Sequence, residues 1–232
     1  MYAFLRGLMR LIVRVYLAGG LFRVVGGTRV PREGALLVCA NHASTIDPPL
    51  LPAFLPRSDS WSMAKAEWFK PRSLVSWLFT RYHAFPIVRH SPDRRGLNRA
   101  IGILRDGGAV VVYPEGTRIE TGGMVTAEPG AGFIARVAAV PVQPVALVGT
   151  RDCFPKGAKW PRRARVEVRF APVMRIRSRR PDGRRVDNQE AADAIMLAIA
   201  EQLPAEMRGA YCDLEELRGR LEGVGELPGA AG

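Results

Sequence analysis

A histidine and an aspartate stand five residues apart in Asn41-His42-Ala43-Ser44-Thr45-Ile46-Asp47, with Pro48 next. A histidine can take up a proton near neutral pH because its ordinary pKa is about 6.5. A carboxylate beside it can fix the ring tautomer and stabilise the imidazolium. The spacing serves that chemistry if the chain turns from strand into helix between the two residues. The same pair can equally tie down a turn, and the residues alone leave both uses open. A second string, Pro114-Glu115-Gly116-Thr117-Arg118, has the makings of an anion site. Gly116 allows a close approach or a positive φ, and Thr117 and Arg118 can donate to an oxyanion, the arginine with two prongs. The alternative there is a strand-ending turn with a surface salt bridge.

Both strings need strands to carry them. Ala35-Leu36-Leu37-Val38-Cys39-Ala40, bounded upstream by Pro31, Glu33 and Gly34, reads as a buried strand that delivers His42 to its end. Ala109-Val110-Val111-Val112-Tyr113 is the clearest buried strand, and Pro114 stops it. Further strands are expected at Ser60–Ala64, Ala84–Arg89 and Ala164–Phe170, the last alternating as a half-exposed strand. Val140–Val148 carries two prolines and reads as an irregular or edge strand. Helices are expected over 74–79, 99–106, 133–139, 188–203 and 214–221, with a flexible Gly-rich loop over 121–132. That loop has neither Walker nor dinucleotide spacing.

Residues 2–18 read as a helix with Arg6, Arg10 and Arg14 in one stripe and an apolar remainder. The preferred reading is a helix in a membrane interface, apolar side among acyl chains and arginines on lipid phosphates. The alternative is a helix packed on the domain with its arginines in water. Trp68, Phe69, Trp77 and Phe79 read first as core packing, and second as an acyl-chain wall or a lipid-facing surface. The chain has 232 residues, enough for one domain with a sizeable core. Its 34 Lys and Arg against 22 Asp and Glu give +12, which calls for an anionic partner. Nucleic acid is disfavoured because the basic run Arg175–Arg185 has no interleaved aromatics. Cys39, Cys153 and Cys212 show neither metal-ligand nor disulfide spacing, and Cys39 reads as a small core residue.

Taken together and in order, these strings resemble the 1-acylglycerol-3-phosphate acyltransferase family of glycerolipid acyltransferases. Asn41–Asp47 resembles its N-H-x4-D block, and Tyr113–Arg118 its P-E-G-T-R block. Phe85-Pro86-Ile87-Val88-Arg89 is similar to the block between them, and Val140–Ala146 to its late V-P-x-x-P-V block. The resemblance implies an α/β fold: a single-domain glycerol-3-phosphate acyltransferase-like mixed sheet flanked by helices, with an N-terminal amphipathic membrane-interface helix. It implies that His42 is the general base, oriented by Asp47, and that Arg89, Glu115, Gly116, Thr117 and Arg118 bind the glycerol-phosphate end of the acceptor.

The implied reaction moves a fatty acyl group from an acyl thioester to the free hydroxyl of 1-acyl-sn-glycerol-3-phosphate, giving phosphatidic acid. Acyl-CoA or acyl-carrier protein would be the co-substrate, with no metal or other cofactor. A same-fold enzyme for another lysolipid or a glycolipid is the alternative. The implied partners are a lysophospholipid acceptor and an anionic membrane surface, on the cytoplasmic side of the cell membrane. The expected layout is a membrane-associating helix over 1–20, the acyltransferase domain over 21–211, and a C-terminal helix and flexible tail over 212–232. Three departures from the family pattern bear on the acceptor: Val88 where Asp is common, Ile119 where Ser is common, and Ala127-Glu128-Pro129 where Phe-Lys is usual.

Overall fold

The computed structural model describes residues 1–88, 93–118, 123–155 and 157–226. In chain order these form α1 (Tyr2–Tyr16), β1 (Phe22–Val25), β2 (Leu36–Ala40), α2 (Asp47–Phe54), β3 (Ser60–Lys65), α3 (Leu74–Arg81), β4 (Ala84–Ile87), α4 (Arg94–Arg105), β5 (Ala109–Val112), α5 (Gly130–Ala138), β6 (Val142–Val148), α6 (Thr150–Cys153), β7 (Val166–Phe170), β8 (Arg175–Ile176), α7 (Asn188–Ala200), α8 (Leu214–Arg220) and β9 (Gly225–Glu226). Seven strands make one mixed sheet in the order β1-β7-β6-β2-β5-β3-β4. The pairs β2–β5, β2–β6, β3–β5 and β3–β4 are parallel, and β6–β7 is antiparallel.

The apolar run before His42 is the middle strand of this sheet, and every residue of β2 is fully buried. Burial on both faces explains its unbroken apolar character, because a central parallel strand meets helices above and below. Leu37 and Cys39 face one core, with α4, α5, α7 and α8; Leu36, Val38 and Ala40 face the other, with α1 and α2. Leu217, Leu221 and Val224 lie buried in the first of these cores. The register pairs Cys39 of β2 with Val112 of β5. His42 and the Pro114 turn therefore emerge side by side at the carboxyl edge of the sheet, where open α/β folds place their ligands.

Three sequence expectations are corrected here. Val142–Val148 is an inner strand, between β7 and β2, with Val142 through Leu147 buried. Its prolines are tolerated because the ladder to β7 begins only at Val145, past Pro144. The β7 strand is mostly buried, and its charged residues Glu167 and Arg169 pair with each other. The segment 123–129 is tied in place rather than loose. Met124 N–H donates to the Met207 carbonyl at 3.0 Å, Ala210 N–H to the Met124 carbonyl at 2.8 Å, and Glu128 N–H to the Pro114 carbonyl at 2.8 Å. A Cβ on Gly123 would lie 2.5 Å from the Gly209 backbone, so the two chains meet at glycine.

The arginine stripe of α1 also departs from both sequence expectations. Arg6 is buried, and it donates to the carbonyls of Pro52 at 2.8 Å and Leu55 at 2.7 Å. Arg10 donates to the Ala53 carbonyl. These carbonyls end α2, where a helix leaves oxygens unpaired and its dipole is negative. Arg6 and Arg10 therefore face the protein, with Leu17, Met9 and Val13 packed alongside, while Arg14, the third of the stripe, is exposed. The apolar residues face outward: Phe4 is 67 % exposed, Leu11 59 % and Val15 68 %. No helix among the described residues is long and apolar enough to cross a membrane. Arg6→Ala should cost about 2–3 kcal/mol of stability, the usual worth of hydrogen bonds from a charged donor. Urea denaturation checks this, and an unchanged midpoint would mean that these contacts do not hold α1.

Candidate active site

Asp47 opens α2, and the three prolines of that short helix, Pro48 and Pro49 in its first turn and Pro52 after them, stiffen it. Its Oδ2 accepts three hydrogen bonds: from His42 Nδ1 at 2.9 Å, Ala43 N–H at 2.8 Å and Ser44 N–H at 2.6 Å. One oxygen thus holds the turn and the imidazole together, so tying down the turn does not prevent the pair from serving as a base. With Nδ1–H given to Asp47, the ring keeps its lone pair on Nε2, the tautomer a general base needs. Both residues are buried, His42 at 3 % exposure and Asp47 at 0 %. The ring of Tyr113 lies 4.4 Å from the His42 ring, tilted by 30°, and walls it on one side. Behind them, Asn41 pairs with the backbone of Leu147 through both its amide groups, at 3.0 and 2.7 Å. The asparagine side chain thereby extends the β2–β6 ladder by one step and fixes where His42 leaves the strand.

The second string is a tight turn. Gly116 N–H donates to the Tyr113 carbonyl at 3.1 Å, with Pro114 and Glu115 at the two middle positions, where proline first and glycine last are favoured. Gly116 has φ +65°, and a Cβ there would press on Glu128, which accounts for the glycine. Glu115 is 2 % exposed, and neither carboxyl oxygen has a hydrogen-bond partner among the described residues. Burial pushes its pKa up to about 9; the His42 main chain pulls the other way, and the Asp47 charge adds to the rise. Glu115 is therefore a neutral acid inside the site at pH 7. Thr117 is exposed and Arg118 half-buried, and the Arg118 guanidinium makes no hydrogen bond or ion pair among the described residues. Arg89 lies outside the described residues.

Beside this turn is a cavity of about 560 Å³. Its walls are largely apolar: Met63, Ile87 and Val112 from the sheet, Leu97 from α4, and Phe133 and Ile134 from α5. Asp93, Arg94, Gly116 and Glu128 supply polar edges. Asp93 caps α4 through Gly96 N–H at 3.1 Å and holds the end of β4 through Val88 N–H at 2.8 Å. These backbone donors hold its carboxyl below the usual range, so it stays charged. Just before Glu128 in the chain, Ala127 N–H donates to Tyr211 at 3.0 Å, and Tyr211 donates to Asp193 at 2.7 Å. Gln189 ties Asp193 to the Ala127 carbonyl. The described residues include no group of His, Cys, Asp and Glu that could hold a metal ion.

Sequence reasoning passed over the Tyr113 ring and the Asp193–Tyr211 pair. A lone Asp in Ala191-Ala192-Asp193-Ala194-Ile195-Met196 was the available signal, because a carboxylate on an apolar helix needs a partner. Nothing local marked Tyr113, which reads as the end of a strand.

This arrangement, a buried His–Asp pair and a Pro-Glu-Gly turn at neighbouring strand ends, defines a class. The Acyltransferase family profile matches residues 21–148, more than half of the chain, and the chain belongs to that family. It is an O-acyltransferase enzyme. A 1-acyl-sn-glycerol-3-phosphate acyltransferase of Bacillus subtilis (strain 168) is 29 % identical over 160 residues, 68 % of this chain and 77 % of that one. The 1-acyl-sn-glycerol-3-phosphate acyltransferase alpha of Ovis aries is 26 % identical over 207 residues, 84 % of this chain and 68 % of that one. A lyso-ornithine lipid O-acyltransferase of Pseudomonas aeruginosa is 34 % identical over 135 residues, 58 % of this chain and half of its own length. The crystal structure of PlsC from Thermotoga maritima, a 1-acyl-sn-glycerophosphate acyltransferase, superposes with a TM-score of 0.65 over 93 % of this chain and 80 % of that one. At 24 % identity that likeness establishes the fold.

The state of Glu115 has a pH signature. Its folded pKa of about 9 exceeds the ordinary 4.5, so the unfolded chain releases this proton first as pH rises. Stability should therefore be greatest, as regards this group, below about pH 4.5, and fall as pH climbs towards 9. Glu115→Gln, a neutral isostere, should flatten that slope and gain on the wild type between pH 5 and 9. Parallel urea titrations across this range test it; two curves of equal slope would mean that Glu115 is ionised in the fold.

Proposed function

We propose that this enzyme acylates the free hydroxyl of a lysophosphatidate, 1-acyl-sn-glycerol-3-phosphate, using a fatty acyl thioester and giving phosphatidic acid. The observation that carries the reading is the 2.9 Å contact of His42 Nδ1 with Asp47 Oδ2 at the sheet edge. His42 Nε2 takes the hydroxyl proton as the oxygen attacks the thioester carbonyl carbon. The C–S bond then breaks, and the imidazolium returns its proton to the leaving thiolate. A well-placed base contributes about 10²–10⁴ in rate, and positioning of the two substrates supplies more. No acyl-enzyme is required. Cys39 lies fully buried within β2, and burial pushes its thiol pKa far up, which removes it as a nucleophile. The donor is acyl-CoA or acyl-carrier protein, and no metal or other cofactor takes part.

Arg118, half-buried at the turn, supplies the charge for the acceptor phosphate, together with Arg89. Thr117 and the Gly116 main chain complete that end, while the buried Glu115 supports the turn from inside. The outward apolar face of α1 lies in the interface of an anionic membrane, on its cytoplasmic side, where the lysolipid resides. The relatives from Bacillus subtilis and Ovis aries, both named for this acceptor, support the reading.

A second acceptor class has a specific observation in its favour. The relative with the highest identity of the three is named for a lyso-ornithine lipid, and Glu128 lines the cavity where the family pattern has a lysine. The test is thiol release from a fatty acyl-CoA or acyl-carrier protein with each lysolipid offered in turn. Wild type should release thiol only with an acceptor. His42→Ala should lose at least about 10²-fold in kcat, and Asp47→Asn a similar amount through the wrong tautomer. Arg118→Ala should raise KM for lysophosphatidate at least tenfold with a smaller change in kcat. Undiminished turnover by His42→Ala would sink the mechanism, and an unchanged KM in Arg118→Ala would favour the phosphate-free acceptor.

A further inference from the structure

Trp68, Phe69, Trp77 and Phe79 are not core residues, contrary to the first sequence expectation. Helix α3 buries none of its residues. Leu74 is 78 % exposed, Trp77 45 % and Leu78 43 %, and Trp68 just before the helix is 51 % exposed. Large apolar side chains crowded on one short helix, with no protein against them, mark a surface that meets something else.

Two further facts say what that is. First, the two longest stretches of the chain without an Asp or Glu, residues 1–32 and 68–92, contain α1 and α3 respectively; a third, 129–151, runs through α5 and β6. Each apolar helix thus sits in a mostly basic setting, with Glu67 beside Trp68 as an acid already paired to Lys65 at 2.9 Å. Around α3 lie Lys70, Arg72 and Arg81, the last with its guanidinium 5.7 Å from the Trp77 ring centre. Tryptophan beside arginine above an apolar helix is the composition of a segment that rests on anionic lipid headgroups.

Secondly, the residues just past α3 pack against α1. The Tyr2 ring of α1 stacks 3.9 Å from the ring of His83, two residues past α3, and meets the Tyr82 ring edge-on at 5.5 Å. The strand before α3, β3, runs parallel to β5, so α3 starts on the side of the sheet where His42 lies. Tyr82 in turn donates to the Pro49 carbonyl of α2 at 2.6 Å.

We infer that α3, with Trp68, is a second membrane contact, so that the enzyme rests on an anionic bilayer through two helices that flank α2. This rests on the interfacial reading of α1 given above. Two lines of contact fix the tilt of the domain as well as its height. They hold the edge carrying His42 at a set angle to the lipid surface.

The test compares the full chain with two triple variants, Phe4→Ser/Leu11→Ser/Val15→Ser on α1 and Trp68→Ser/Leu74→Ser/Trp77→Ser around α3. All six side chains are exposed, so the thermal midpoint should move little. Binding is read by co-sedimentation with phosphatidylcholine vesicles containing phosphatidylglycerol, and by quenching of tryptophan fluorescence with brominated lipid. Wild type should bind, and each variant should bind at least tenfold more weakly. Quenching should drop sharply in Trp68→Phe/Trp77→Phe, which leaves Trp61 and Trp160 as reporters. If the α3 variant binds as wild type while the α1 variant does not, the inference falls and the interfacial reading of α1 stands. If wild type ignores anionic vesicles, both fall. If wild type elutes as a dimer without lipid and the α3 variant as a monomer, the face is a contact between copies, and the inference is again overturned.

Discussion

A single carboxylate oxygen, Asp47 Oδ2, receives three hydrogen bonds from the turn that joins β2 to α2. A buried carboxylate is costly unless donors surround it, and here the donors are the first residues after the strand and the imidazole itself. That arrangement explains why histidine and aspartate stand where they do. The strand must end before His42, the helix must start at Asp47, and the intervening chain must curl tightly enough to aim two amide groups at one atom. The fold beyond this point is arranged to hold both ends of the turn. Asn41 locks the strand end to β6, and the Tyr113 ring closes one side of the imidazole.

Helix α2 is pinned at its other end by α1. Arg6 and Arg10 occupy the oxygens that a helix terminus leaves unpaired, and so reverse the ordinary orientation of an amphipathic helix. An exposed arginine stripe would have been cheaper to solvate, but it would have left the C-terminus of α2 unsatisfied inside the protein. Turning the arginines inward satisfies that terminus and sends the apolar residues outward. The same few contacts therefore join the outward-facing helix to the helix whose first residue, Asp47, holds the His42 ring.

Much of this was legible in the chain. The strands carrying the two motifs are unbroken apolar runs ending in His or Pro, and such runs have few other readings. The orientation of α1 was not legible, because periodicity reports which residues share a face but not which face is inward; the carbonyls that attract Arg6 lie 46 and 49 residues away. The prolines of β6 suggested an edge, since the sequence does not say that the antiparallel ladder starts only past Pro144. The family resemblance alone places Glu115 at the glycerol-phosphate end, and it carries no information on burial; the structure buries its side chain near His42 and Asp47. The aromatics of residues 68–79 read as core because large rings are usually buried.

The segment that leads to Glu128 at the cavity edge is held by parts far apart in the chain. Met124 and Ala127 are held by Met207, Ala210 and Tyr211, and Tyr211 by Asp193. During synthesis, α1 leaves the ribosome long before those residues do. Its apolar face is available early, whereas the segment before Glu128 gains these contacts only when the chain around Tyr211 has emerged and docked. Order of translation thus separates two features: the nascent chain acquires the exposed apolar face of α1 first and the contacts that hold the segment before Glu128 last, so a truncated product would carry the first without the second.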